Sequence, residues 1–283
     1  TITEISNRVC YNFFPMFTPE LRVAMNREAI EFVSEIVRND RSILEFLRAD
    51  HTFLNDRLAS HYGIPNVDGP EFRRVDGVAR LGRGGVMAMG SVLTKQSGAL
   101  RTSPVLRGTW VVETLLGRRI PNPPDNIPQL DEDEVNKDGL TMRQQLERHR
   151  ADATCATCHA KIDPYGFALE AYDPIGRLRE RDLNGNPIDA RADPQDEEAF
   201  EGLTGLQSYL LKHRDEFTRQ FCRKLTGYAL GRAVELSDEP LLDAMQTHLK
   251  KHDYRFSIAV QTLVNSRQFR QHRGQNDPGE TAP

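Results

Sequence analysis

Cys155-Ala156-Thr157-Cys158-His159 constrains this chain more than any other stretch. Two thiols separated by two residues and followed at once by an imidazole form the attachment pattern of c-type haem. The chemistry sets the spacing. The thiols add across the two vinyl groups of the porphyrin, the intervening residues let both sulfurs reach one edge, and His159 then presents its ring to the iron from the proximal side. A bare C-x-x-C also suits a dithiol redox pair or half a zinc site. A zinc site needs a second Cys or His pair at close spacing, and none follows in the sequence. A thioredoxin-like pair opens a helix after a strand, whereas Arg150-Ala151-Asp152-Ala153-Thr154 is not strand-like. The motif therefore predicts one covalent haem c, attached through Cys155 and Cys158, with His159 as the proximal axial ligand of iron.

The rest of the composition narrows the setting. A chain of 283 residues can bury real cores in about two domains. Its net charge of −4 gives no sign of nucleic acid binding. No run of eighteen apolar residues occurs, so the sequence predicts no transmembrane segment. Thr1 to Pro15 lack the basic and apolar regions of a signal peptide. Covalent haem attachment normally takes place outside the cytoplasm, so the expected location is the periplasm or another extracytoplasmic space. Either a leader has been removed or the chain is part of a longer polypeptide. Cys10 and Cys222, far apart in sequence, would be free to pair there; the alternative is two buried small hydrophobes.

Periodicity predicts a mainly α fold: a helical N-terminal block over residues 1–65, a loop-rich c-type haem domain over 66–195, a C-terminal helical bundle over 196–273 and a disordered tail over 274–283. Thr18-Pro19 caps a first helix with Leu21, Met25, Phe32 and Ile36 on one face. Asp40 is expected to cap a shorter helix carrying Ile43, Leu44 and Leu47. Leu54, Leu58 and His61 share a stripe that stops at Gly63. Glycines at 82, 84, 85, 90 and 98 make the next segment irregular, with short strands expected at Phe72–Val75 and Val86–Met89. Ser103-Pro104 opens a helix that stops at Gly117. An acidic run, Asp131 to Glu134, follows a proline-rich crossing. Thr141-x-x-Gln144 is a capping box for the helix that delivers the chain to the motif. The Asp-Pro pairs at 163–164 and 173–174 read as turn formers, with a short helix between Phe167 and Tyr172, and Asn184-Gly185-Asn186-Pro187 reads as a tight turn. Helices return near 200–211, 214–230, 239–251 and 256–266.

Four segments carry a family resemblance: Arg101-Thr102-Ser103-Pro104-Val105-Leu106-Arg107-Gly108, the haem motif, Asp163-Pro164-Tyr165-Gly166-Phe167-Ala168-Leu169-Glu170, and Lys224-Leu225-Thr226-Gly227-Tyr228-Ala229-Leu230-Gly231-Arg232. In this combination and order the chain resembles the planctomycete-type cytochrome c modules: a helical domain, a haem domain and a C-terminal helical domain, long called domains of unknown function. The resemblance implies an extracytoplasmic monohaem cytochrome and supplies no substrate. Such proteins usually continue further toward the N-terminus, which implies that an N-terminal portion is missing or cleaved here.

The ligand opposite His159 decides the chemistry, because a filled sixth site favours one-electron transfer and an open one admits oxygen or peroxide. His149, six residues before Cys155, is the first candidate; the related families carry a His-Arg pair at this place. Its other reading is a contact at the haem edge. Met87 and Met89 in the glycine-rich segment, Met245 downstream and His61 are further candidates, each with core packing or capping as the alternative. Arg101, Arg107, Arg150 and Arg177 are candidate partners for the haem propionates, and Tyr165 and Phe167 for the porphyrin face. The leading expectation is electron transfer with a redox partner protein, as part of a larger redox protein or complex. A haem peroxidase or oxidase with an open distal site, and a structural subunit with an auxiliary haem, are the alternatives.

Overall fold

The computed structural model describes residues 13–121, 138–150, 153–195 and 197–271. Helix α1 (Pro19–Arg38) begins where the sequence predicts. The Thr18 hydroxyl accepts from Leu21 N at 3.3 Å, and Pro19 occupies a first-turn position where its missing N–H is not needed. Leu21, Ala24, Met25, Glu28, Phe32 and Ile36 form its buried face.

The next stretch departs from expectation. Ile43–Phe46 form a 3-10 turn capped by Ser42, whose Oγ accepts from Leu44 N at 3.3 Å. Asp40 instead reaches to the far end of the chain, where its carboxylate accepts from Ser257 N at 2.8 Å and from Ser257 Oγ at 2.9 Å. Leu54 closes strand β1 (His51–Leu54) rather than opening a helix, and β1 pairs antiparallel with β2 (Arg73–Asp76). Helix α2 (Asp56–Tyr62) starts after the Asn55 cap and stops at Gly63. Residues Val86–Ala88 form a 3-10 turn, not a strand, and helix α3 (Gly90–Lys95) follows almost at once, leaving no length for a strand to pair.

Ser103 caps helix α4 (Pro104–Trp110), which loosens into a π turn over Val111–Leu115. The capping box at Thr141 and Gln144 is formed at the start of α5 (Met142–His149). Helix α6 (Ala153–Phe167) then carries the motif. Pro164 lies inside α6, so Asp163-Pro164 does not break the helix as its turn propensity predicts. Its position near the C-terminal end limits the loss to a backbone bond in the last turns. A second small sheet, β3 (Arg191–Ala192) with β4 (Phe200–Glu201), leads into α7 (Gly202–Lys212), α8 (Arg214–Leu230), α9 (Glu239–Lys251), α10 (Phe256–Val264) and α11 (Arg267–Arg270). The fold is mainly helical. The acidic run at 131–134 and the tail at 274–283 lie outside the described residues.

Among the described residues the two largest of four apolar clusters unite these elements. The larger runs from Ile43 and Leu47 through Met87, Val111 and Ile162 to Cys222, Leu242 and Met245, so the middle and C-terminal segments share one interior. The second joins Leu21, Met25, Leu54 and Leu58 to Ile175, which lies beyond α6. Cys222 is a free, fully buried thiol, pushed up to about 12 by loss of water; Cys10 lies outside the described residues.

A buried polar knot ties the N-terminal block to the glycine-rich segment. Glu28 accepts from Thr52 Oγ1 at 2.7 Å and from Tyr62 Oη at 2.6 Å, and Tyr62 Oη accepts from Gly90 N at 2.7 Å. The Arg83 guanidinium stacks 3.7 Å from the centre of the Tyr62 ring while donating to Ala88 O at 2.8 Å and Gly176 O at 2.7 Å. His61 Nε2 donates to Ile175 O at 2.8 Å, so this candidate ligand holds the same seam. Burial raises the Glu28 carboxyl to about 7, against the opposing hydrogen bonds of Tyr62 and Thr52 and the charge of Arg83.

That shift sets the sign of a pH effect. Below about 4.5 Glu28 is protonated whether the chain is folded or not. Between there and about 7 the unfolded chain ionises and the folded one keeps its proton, so stability falls as pH rises; above that range the loss is constant. The full loss corresponds to about 3 kcal/mol. Glu28→Gln, neutral throughout, is expected to remove this slope from urea denaturation midpoints measured between pH 5 and 8. Parallel pH profiles for the two proteins would contradict it.

Candidate functional site

The motif occupies the first turns of α6, where helical spacing sorts its side chains. Cys155 and Cys158 stand one turn apart on the same side, and His159 lies four residues after Cys155 and one after Cys158. Both thiols are free and half-buried. The His159 ring is 13% exposed, and its Nδ1 lies 2.9 Å from Asp163 Oδ1, one turn further along the helix. Asp163 is fully buried, and its other oxygen faces Arg150 Nη1 at 3.5 Å. When Nδ1–H donates to the carboxylate, the lone pair of the neutral ring sits on Nε2. That is the tautomer a metal-ligating histidine needs.

Burial changes along α6. Cys155, Cys158 and His159 are half-buried and Thr157 is exposed, whereas every residue from Ile162 to Glu170 is buried. The buried half is fixed by backbone contact with α4. A Cβ added to Gly108 would lie 2.0 Å from Ile162 O, and one added to Gly166 would lie 1.9 Å from Pro104 O. Only glycine at both places lets the helices touch this closely.

Arg107, one residue before Gly108, closes the end of the motif helix. Its side chain is 1% exposed and donates to Leu169 O and Tyr172 O, both at 2.7 Å, to Asp173 O at 2.9 Å and to Ser97 Oγ at 3.0 Å. It is therefore a clamp on the chain leaving α6, not a propionate partner. Arg177 is committed to Asp173 at 2.7 Å, and Arg101 donates to Thr102 O at 3.0 Å. Of the four candidate arginines, only Arg150 is brought to the histidine end of the motif, through Asp163.

The remaining candidates are dispersed. Met87 is fully buried in the large core, Met89 packs with Phe32, Ile36 and Ala49, and Met245 accepts from Thr226 Oγ1 at 3.6 Å. Phe167 packs with Met142 and Leu146. Tyr165 Oη bonds Tyr209 Oη at 2.9 Å, and Tyr209 donates to Glu197 at 2.8 Å, tying α6 to the C-terminal helices. Arg118 adds a bidentate pair with Glu216 at 2.7 and 2.8 Å and holds that carboxyl below its usual range. The His149 side chain lies outside the described residues.

These residues fit a covalently attached haem at the proximal side: two thiols one turn apart and an imidazole whose Nδ1 faces a carboxylate. Among the described residues no group of three or more His, Cys, Asp or Glu could hold a metal ion. Asp163 is the neighbour of the motif that the sequence conceals, whereas Arg107, which the sequence offers as a propionate partner, is instead a clamp. Asp163 reads as a turn former beside Pro164; once α6 is known to run through it, the four-residue spacing from His159 identifies it.

Comparison with known families gives the class of chain. Residues 5–64 match the protein of unknown function DUF1592, residues 83–182 match DUF1588, whose short name is PSCyt3, and residues 196–269 match DUF1585. The three matches lie in that order along the chain, and the middle one, which holds the motif, suggests a cytochrome-like role. No curated protein and no solved structure matches it.

The clamp has a measurable consequence. Arg107→Lys keeps the charge but replaces a planar fork by a single ammonium that cannot span four acceptors. Stranded buried carbonyls are expected to lower stability by about 2–4 kcal/mol, read from urea denaturation. An unchanged midpoint would refute the clamp.

Proposed function

We propose that this chain is a monohaem c-type cytochrome that passes single electrons in the periplasm or another extracytoplasmic space, as part of a larger redox protein or complex. The observation that carries the reading is the first half of α6: two free, half-buried thiols one turn apart, and His159 held through Nδ1 by Asp163. Cys155 and Cys158 would form the thioethers and His159 would be the proximal ligand. Bound haem supplies a one-electron Fe(III)/Fe(II) couple. Its covalent attachment normally occurs outside the cytoplasm, which supports the location. Among the described residues no helix is long and apolar enough to cross a membrane. The electrons would pass to and from a partner protein.

The test is direct. Chain matured with a haem-attachment system should keep its colour through acid-acetone extraction, and Cys155→Ala with Cys158→Ala should lose it. Colour that partitions into the organic phase from the unaltered chain would sink the proposal.

His149 is the proposed ligand opposite His159, since it ends the helix directly before the motif and the three methionines are engaged in packing. His149→Ala is expected to turn a low-spin spectrum high-spin and to admit carbon monoxide. A second reading, peroxidase-type chemistry at an open site, is favoured by the carboxylate behind His159, because His159 backed by Asp163 would be a more strongly donating proximal ligand, which suits oxygen or peroxide chemistry at a haem. Stoichiometric carbon monoxide binding by the unaltered ferrous protein would support that reading and exclude His149 as the sixth ligand.

A further inference from the structure

We propose that Asp163 is a positioning residue that turns His159 into an unusually strong donor and so holds the bound iron at low potential. This rests on the haem reading above and adds to it the residue that sets the driving force of electron transfer. The distance is 2.9 Å, and the spacing of four residues keeps both groups on one face of a single helix. The carboxylate is fully buried, so its charge is screened little by water. A hydrogen bond from an imidazole to a carboxylate is stronger than one to a neutral backbone carbonyl. It draws the Nδ1 proton away from the ring and leaves Nε2 richer in electrons. An anion behind the proximal ligand also stabilises the ferric over the ferrous state by simple charge. Among the described residues Arg150 lies 3.5 Å from the other carboxylate oxygen and is 29% exposed, a longer contact that tempers the effect without cancelling it.

A plain structural role is the competing account: Asp163 as a helix-surface partner that merely orients the ring. Burial argues against it, because Asp163 is fully buried and an exposed i,i+4 pair contributes less than a buried carboxylate costs to desolvate. The two accounts separate in Asp163→Asn, whose side-chain oxygen still accepts from Nδ1 and keeps the ring oriented but carries no charge.

The experiment uses the haem-loaded full chain. In Asp163→Asn the midpoint potential is expected to rise by at least 59 mV, a tenfold shift in the one-electron equilibrium toward the ferrous form. The iron–histidine stretch of the ferrous protein, read by resonance Raman where the ferrous iron is five-coordinate, as in His149→Ala, should move to lower frequency. Should Asp163→Asn fail to mature, Arg150→Gln serves in its place. Removing the tempering cation should move the potential the opposite way, downward. A haem-bearing variant of either kind with an unmoved potential overturns the proposal and leaves the cytochrome reading intact. An unaltered chain that takes up no covalent haem removes both.

Discussion

The close approach of α4 and α6 is the contact on which the rest of the middle segment depends. At Gly108 and Gly166 the two backbones meet with no room for a Cβ on either side. Helix α4 is only 7 residues long and gives way to a π turn after Trp110, and α6 carries a proline. Such elements are marginal alone, and tertiary packing must hold them. The crossing also fixes the register of everything that follows α6. It delivers Leu169, Tyr172 and Asp173 to Arg107, whose guanidinium gathers their carbonyls in a space closed to water. A buried arginine is tolerated because its donors meet acceptors on several sides, with Glu170 3.9 Å away.

From this contact the helix is anchored at one end and open at the other. Tyr165 binds the C-terminal helices through Tyr209, and the segment after α6 reaches the N-terminal block through Ile175, which receives His61, and the glycine-rich segment through Gly176, which receives Arg83. Every one of these ties lies C-terminal to His159. The thiols precede them, in the less buried half, where chemistry on sulfur does not require the core to open. Burial and cross-links are thus concentrated from Ile162 onward, while Cys155, Cys158 and His159 lie in the less buried half. The chain termini of the described fold add a separate brace: Ile43 N donates to Tyr254 O at 2.9 Å beside the Asp40–Ser257 bonds, joining the N-terminal block to the last helices.

The sequence made the helical ends legible because their signals are local. Thr18-Pro19, the capping box at Thr141 and the stop at Gly63 each act within one turn. It misled where local chemistry was overruled by distant partners. Asp40 has the side chain of an N-cap, yet a serine 217 residues away claims it. Leu54 fits a helical stripe with Leu58, yet pairing with Arg73 draws it into a strand. Asp163-Pro164 has turn propensity, but packing of Gly166 on Pro104 holds the helix through it. The motif itself was plain, since its meaning lies in spacing; the carboxylate that completes it became visible only once α6 was seen to be continuous.

The buried acids of this fold show why Asp163 differs from its neighbours. Asp238 is met by Arg232 at 2.7 and 3.0 Å and held below the usual carboxylate range, and Asp173 is met by Arg177 at 2.7 Å and by two backbone amides. Glu170 receives Thr102 at 2.9 Å with Arg179 at 3.4 Å. Glu28, which receives only hydroxyls, is driven toward its neutral form. Close guanidinium pairing holds the Asp238 carboxyl low although its side chain is buried. Asp163 has its guanidinium at 3.5 Å and its imidazole at 2.9 Å, so the histidine ring is its principal partner. Among the described residues the nearest donor to this carboxylate is thus His159, one turn back on the same helix.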